Sequence, residues 1–581
     1  MLAIIRAQFS FDRLQKRTIP SSRYLPHSST ECALIPLQLF EWPWNSVASE
    51  CASFLGPAGY GYVQVSPASE HIQGSQWWTD YQTVSYTLIS KRGSRAQFAN
   101  MVTACKNAGV GIIVDVVFNH MTSGSGTGFA GNSYSKYNYP AVPYTPANFH
   151  YCAGNGVAAQ ITNYDDANNV RFCELVGLAD LAQEQTAVRN IMAAYLNDLS
   201  SLGVAGYRLD ASKHMLSVDI GAILGMVKYS YYDTQEVIFG AGEPITPAQY
   251  VNNGDVIEFR APSSLLTYFT ASPGLLLKYL PAMGAAWGFV PSNVANFIMA
   301  NQDTERGGTS LTSASPNNAY TLGAVFMLAF NYGTPTVYSG YNYTGYDQGA
   351  PQNAQGYTNA VTCGSNGWRC EHRWPAIANM IAFHNAVGGT ALTNIFKGTS
   401  QQTAFGRGAT GFLIINNQGS TWTNAKWNTS LPAGKYCDII HDTSAGPTAC
   451  NGPTYVVSAS GTFSASVGAY DALAIFTGFA PSPTGATVTF AETASTVAGQ
   501  AIYLVGSIGA LGSWAPAAAV AMTKSASGSV WSATVVLPAN TAIQYKFIKK
   551  SGTVVTWESD PNRAYTTSAK GSKVTLTSTW R

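Results

Sequence analysis

Short apolar runs that end abruptly in polar residues recur through the N-terminal part of the chain: "ALIPLQLFEW", "GYVQVSPASEH", "GIIVDVVFNH", "AGYRLDASKH", "EVIFGAGE", "NFIMANQD" and "TPTVYSGY". Between them lie stretches such as "RAQFANMVTACKNAG" and "QTAVRNIMAAYLNDLSSLG", with apolar residues at helical spacing and, in the second, a terminal glycine. Strand and helix in alternation predict a parallel α/β sheet. A doubly wound sheet also alternates, but no GxGxxG or P-loop follows any of these strands. Polar tips confined to the C-terminal ends of several strands predict a closed TIM (β/α)8 barrel, the fold that gathers its chemistry at that face.

Two departures from the repeat set the domain boundaries. Residues 121–179, rich in Gly, Asn and Tyr without a helical period, read as a loop domain inserted after the third strand. Beyond 395 the helices stop, and "GFLIINNQ", "KYCDII" and "ALAIFTGF" predict an antiparallel β-sandwich over 396–478. The Pro-, Ser- and Gly-rich segment 479–486 reads as a linker. Strong alternation in "AIYLVGS", "WSATVVLP", "IQYKFIKK" and "KVTLTSTW" predicts a separate all-β module over 487–581. The barrel is then 32–395, preceded by an N-terminal extension, 1–31, that could be removed by processing.

Composition narrows the partners. Only 11% of residues are charged, net charge is +2, and no basic run argues for nucleic acid or a charged membrane surface. With 32 Tyr and 13 Trp beside many neutral hydrogen-bonding side chains, the surface suits a neutral, hydroxylated ligand such as a sugar, although the same aromatics also serve as core. None of the nine cysteines forms a CxxC pair or a zinc-type cluster with His. Cys363/Cys370 and Cys437/Cys450 flank short Gly-containing loops, and sequons stand at Asn342 and Asn428. Both features fit an oxidising, extracellular destination and a glycoprotein. The apolar run Leu2–Ile5 is too short for a signal-peptide core, so the leader itself is not legible.

The strand tips carry the candidate chemistry. Asp210 lies two residues after Arg208, on the same face of a strand, which predicts an ion pair that keeps Asp210 ionised as a nucleophile requires. Glu243, behind the glycines of "GAGEP" and with no basic neighbour in sequence, is expected to have a raised pKa and to serve as a general acid. Asp303 supplies a third carboxylate. Two carboxylates in unlike environments are the machinery of glycoside hydrolysis, whereas any one of them alone is more often a helix cap.

These residues carry a family resemblance. "DVVFNH" (Asp115–His120), "GYRLDASKH" (Gly206–His214), "GAGE" ending at Glu243 and "NQD" (Asn301–Asp303) resemble, in order, the four signature segments of the α-amylase family of retaining glycoside hydrolases. "GYGYVQVSPASEHIQGSQWWTDYQTVSY" and "GLADLA" resemble its animal-type branch. The resemblance spans residues 32–478. It implies Asp210 as nucleophile, Glu243 as acid/base and Asp303 as the carboxylate gripping the distorted sugar. Arg208, Asp115 and His120 would complete that subsite, with Tyr81 stacking on its sugar and Trp77 and Trp78 lining the cleft. Lys213 and His214 would face the reducing-end side.

The same resemblance implies a calcium ion held by the side chains of Asn119 and Asp180 and the carbonyls of Arg171 and His214, an all-oxygen set suited to a hard cation. The alternative reading of Asp180 is a helix cap before "LAQEQTAVR". A chloride would need Arg208, Asn301 and a third basic residue, and Thr336 stands at the third position, which argues against chloride. The family's disulfides imply Cys51–Cys105, Cys152–Cys173, Cys363–Cys370 and Cys437–Cys450, leaving Cys32 unpaired. The terminal module, with "GSIGALGSW", "YKFIKK" and "WESDPNR", resembles a family 20 starch-binding domain. There Trp514 and Trp557 would form a stacking platform, Lys546 and Asn562 would donate to sugar hydroxyls, and Trp531 would pack in the core. The implied activity is endo-hydrolysis of α-1,4-glucosidic bonds in starch and glycogen by a secreted monomer. The alternatives are a cyclodextrin-forming transglycosylase and a catalytically impaired starch-binding protein. Gln302 departs from the family's Asn-His-Asp and loses the imidazole's option of charge, so Gln302→His is expected to raise kcat/KM.

Overall fold

The strand tips converge because eight short parallel strands close on themselves. They are β1 (Pro36–Leu39), β2 (Tyr62–Val65), β3 (Gly111–Val116), β4 (Gly206–Leu209), β5 (Tyr232–Gln235), β6 (Asp255–Ile257), β7 (Ala295–Ile298) and β8 (Thr334–Ser339). In the computed structural model they form a closed barrel in which β1 pairs with both β2 and β8. Residues 35–152, 159–270, 275–399, 401–443, 450–478, 485–525, 528–538, 541–552, 554–568 and 572–581 are described. The expected extension 1–31, Cys32 and most of the linker lie outside them.

The helical periods fold as expected where one apolar face is available. The first, α1 (Arg95–Asn107), starts at a capping box between Ser94 and Gln97 and buries Phe98, Met101, Val102 and Cys105. A later one, α3 (Thr186–Ser201), buries Val188, Met192, Tyr195, Leu196 and Leu199. Its N-cap is Gln185, so Asp180 does not cap it. The inserted segment 121–179, expected to be free of helix, contains α2 (Ala167–Phe172). With Val170 as its one buried residue, α2 has no amphipathic period to read; the Asp166 side chain caps it at Asn168 N, and Cys152–Cys173 ties its end down.

Two strands differ from the pattern. "EVIFGAGE" is not β5: the strand is "YDTQ", immediately before it. Its buried side chains are polar because they bond inside the barrel, Thr234 to Asn296 (3.2 Å) and Gln235 to the Tyr250 carbonyl (2.9 Å). The three-residue β6 is too short to leave a period.

Past the barrel, a four-stranded antiparallel sheet (Leu392–Lys397, Gln402–Arg407, Gly411–Asn416, Asp471–Phe476) packs with two two-stranded sheets around Trp427, Phe412 and Phe463. Arg407 fastens it to the barrel, donating to the Ala329 carbonyl at 2.6 Å. The last module has its own core, including Phe490, Leu504, Phe547 and Trp531. All four implied disulfides are formed. Among the described residues no helix is long and apolar enough to cross a membrane.

Candidate active site

Arg208, fully buried on β4, organises the C-terminal mouth of the barrel. Its Nη1 donates to Asp115 (2.8 and 3.0 Å) and to Asp210 (2.6 Å), while Nη2 lies 2.7 Å from Glu236 Oε1. One guanidinium thus faces three carboxylates. The turn after β4 supplies a further donor: Ala211, in the left-handed region at φ 48°, points its N–H at Glu236 Oε2 (2.8 Å). Glu236 stands at the C-terminal tip of β5 and shares the Arg208 guanidinium with Asp210.

The electrostatics follow from burial. Asp210 is not held low by Arg208 as the sequence suggests; desolvation outweighs the guanidinium, which is divided among three acids, and Asp210 and Asp115 are both pushed up. Burial, with the charge of Asp210, pushes Glu236 up to about 7. Asp303, half-buried just inside the helix α4 (Gln302–Arg306), rises to about 7 through burial and the charge of Glu236. All four acids near this one cation are thus pushed above the usual carboxylate range.

Glu243 is not among them. It sits on the loop beyond β5, where Lys213 Nζ reaches Oε2 at 2.6 Å and the Gly240 N–H at 2.9 Å. Burial opposes these contacts, but they win, and its pKa is lowered, the reverse of what a general acid needs. The basic neighbour absent from the local sequence arrives from a different loop. The residue with the expected environment is Glu236, hidden in the sequence because its strand looks polar and the run after it looks like the strand.

The other expected residues surround this centre. Tyr81 OH donates to Asp115 Oδ2 (3.0 Å), and His120 Nε2 lies 3.0 Å from the Tyr81 carbonyl. The rings of Trp77 and Tyr81 meet edge-on at 5.9 Å. Trp77 and Trp78 are anchored by residues no local signal announces: their indole N–H groups donate to the Tyr346 carbonyl and Asp347 Oδ1, each at 2.9 Å. On the opposite side Lys213 lies over the half-exposed ring of Tyr164 (4.8 Å). His214 Nδ1 is 3.0 Å from the Val170 carbonyl, which ties α2 to the mouth.

The buried Asn119 Oδ1 and Asp180 Oδ1 accept no hydrogen bond, although His150 occupies the other Asp180 oxygen at 2.7 Å. Two orphaned oxygens, one of them anionic, beside the α2–His214 junction fit a hard cation. The implied third chloride position holds a neutral hydroxyl. Thr336 donates to Asn296 Oδ1 (3.0 Å), and the side-chain Oδ1 of Asn301 accepts from the N–H groups of Asp303 (3.1 Å) and Thr304 (2.9 Å). Arg208, the remaining implied ligand, already faces an excess of negative charge.

Comparison with known proteins agrees with this geometry. Family models match residues 62–230 (alpha amylase, catalytic domain), 395–477 (alpha amylase, C-terminal all-beta domain) and 485–577 (starch binding domain). The α-amylase of Streptomyces violaceus is 44% identical over 94% of this chain and 93% of its own. The chain belongs to the α-amylase family. The α-amylase of Tenebrio molitor is 40% identical, over 74% of this chain and 94% of its own. The crystal structure of α-amylase I from Eisenia fetida superposes with a TM-score of 0.73 at 37% identity, covering 78% of this chain and all of that one. A γ-cyclodextrin glucanotransferase from Bacillus clarkii shares the fold at 18% identity and TM-score 0.55, over 93% of each chain. In the starch-binding module Trp514 and Trp557 lie 6.5 Å apart at 43°. Trp531 is buried, Lys546 is tied to Asp560 (2.6 Å), and Asn562 donates to Gln544 (2.8 Å).

Proposed function

We propose that this chain hydrolyses internal α-1,4-glucosidic bonds of starch and related α-glucans with retention of configuration, as a secreted monomer, with Glu236 rather than Glu243 as acid/base. The sharing of one Arg208 guanidinium by Asp210 (2.6 Å) and Glu236 (2.7 Å) carries the reading. Retaining enzymes hold their two carboxyl groups ~5–5.5 Å apart, whereas inverting ones leave ~6.5–9.5 Å for a water. Two acids held on neighbouring nitrogens of one guanidinium are drawn together, which favours the retaining arrangement.

Glu236, protonated in the free site, gives its proton to the glycosidic oxygen as the bond breaks. Asp210 attacks the anomeric carbon and forms a glycosyl-enzyme intermediate. Glu236, now a carboxylate, takes a proton from water as that water releases the sugar. Asp303 would hydrogen-bond the sugar hydroxyls, while Tyr81 would offer its ring. A calcium ion held by Asn119, Asp180 and the carbonyls of Arg171 and His214 would supply a fixed positive charge joining the inserted segment to the barrel. A solved relative, a glutamate-to-glutamine mutant of the Eisenia fetida enzyme, was crystallised with maltohexaose, which supports an α-glucan here. The Trp514/Trp557 platform would hold the enzyme on granules and raise its local concentration. Proton NMR of maltoheptaose hydrolysis tests the reading: α-anomeric linear products are expected, and β-anomeric or mainly cyclic products would overturn it.

A further inference from the structure

Behind Asp303 the side chains form a one-directional relay. Gln38 Nε2, on β1, donates to Gln302 Oε1 at 2.8 Å; Gln302 Nε2 donates to Tyr81 OH at 3.1 Å; Tyr81 OH donates to Asp115 Oδ2 at 3.0 Å. The relay ends on a carboxylate gripped by Arg208. Gln38 and Gln302 are both buried, so bulk solvent does not compete for either amide. A primary amide can turn over and exchange its donor and acceptor ends. Here a turned-over Gln302 would set its NH2 against that of Gln38, and its oxygen would compete with Asp115 for the Tyr81 proton. The bond from Gln38, with its NH2 aimed at Gln302 Oε1, disfavours that orientation.

Resting on the site assignment above, we propose that Gln38 is a positioning residue of the reaction: it fixes Gln302 as a neutral donor facing Tyr81 and the sugar. The consequence reverses the expectation for the missing imidazole. A histidine at 302, facing the NH2 of Gln38, must offer an unprotonated ring nitrogen to it and its N–H to Tyr81. That pattern is the neutral tautomer, so Gln302→His alone gains no positive charge and leaves kcat/KM no higher than wild type.

The test uses the full chain and maltoheptaose. Gln38→Leu should lower kcat roughly tenfold, the worth of one buried hydrogen bond, with KM within about twofold. Gln38→Glu should lower it further, because a carboxylate only accepts and draws the Gln302 NH2 away from Tyr81. Gln38→His retains a donor and should recover kcat to within about threefold. In a double-mutant cycle, Gln38→Leu should cost nothing further in a Gln302→Leu background, since its effect passes through that amide. Additive losses in the cycle, an effect on KM alone, or wild-type kcat in Gln38→Glu would each overturn the proposal. Should Gln38→Leu fail to fold, Gln38→His against Gln38→Glu decides it. Asp210→Asn separates the two levels. An active Asp210→Asn refutes the site assignment, whereas an inactive one beside indifferent Gln38 variants refutes only this inference.

Discussion

Two glutamates on one loop compete for the acid/base role, and their contacts make opposite predictions. In Glu236→Gln the new amide keeps an oxygen for the Ala211 N–H, but its NH2 faces Arg208, a donor against a donor, and no proton remains for the leaving group. General acid–base catalysis contributes ~10²–10⁴-fold, or about 2.7–5.4 kcal/mol of barrier. Glu236→Gln should lose that much of kcat on starch. In Glu243→Gln the amide oxygen still accepts from Lys213, and because the pair is partly open to water the change should stay within ~1 kcal/mol, a few-fold in rate. Reducing-sugar release from soluble starch measures both. A second substrate isolates the cause: an aryl maltooligoside with an acidic phenol leaves without protonation, so Glu236→Gln should lose far less on it. The pH profile adds a sign. With Glu236 raised to about 7, the acid form is lost as pH rises through that value, so the basic limb of kcat/KM should lie there and vanish in Glu236→Gln. A collapse in Glu243→Gln with near-normal Glu236→Gln would refute the assignment.

Other tests reach other parts of the molecule. Between Asp438 (2.7 Å) and Asp471 (3.1 Å), His441 is raised to about 10, so its stabilisation is complete below about 6.5 and lost as pH rises through about 10. The Tm deficit of His441→Asn should therefore be larger at pH 6 than at pH 10.5, and, after solvent screening, no more than ~1 kcal/mol. Chelation should lower Tm, and calcium at ~100 times its Kd should restore ~2.7 kcal/mol; Asp180→Asn should blunt that shift in a calorimetric titration. Replacing chloride by nitrate at constant ionic strength should leave kcat unchanged; a severalfold fall would show that Arg208 and Asn301 hold the anion without a third cation. Trp557→Ala should weaken adsorption to granular starch about tenfold, and its activity on maltoheptaose should fall far less, as centrifugation and rate assays would show.

Local patterns carried much of the architecture. The helical periods of α1 and α3 are legible because each has one face to bury, and "GIIVDVVFNH" and "GYRLDASKH" name their strands because those strands are apolar up to the tip. Asp115, Arg208, Asp210 and Asp303 were legible for the same reason. Strand β5 failed that rule. Thr234 and Gln235 spend their hydrogen bonds on Asn296 and Tyr250 across the barrel, so the pattern reads as loop and the next apolar run reads as strand.

What the sequence by itself determined was which residues can form strands, helices and acids, because those depend on neighbours within a few positions. Only the tertiary structure decided the electrostatic surroundings of the acids. A carboxyl's proton affinity depends on charges and water within a few ångströms, and those come from distant segments: Lys213 onto Glu243, Arg208 shared by Asp115, Asp210 and Glu236. The orientation of Gln302 was decided in the same way, by Gln38 on the first strand of the barrel.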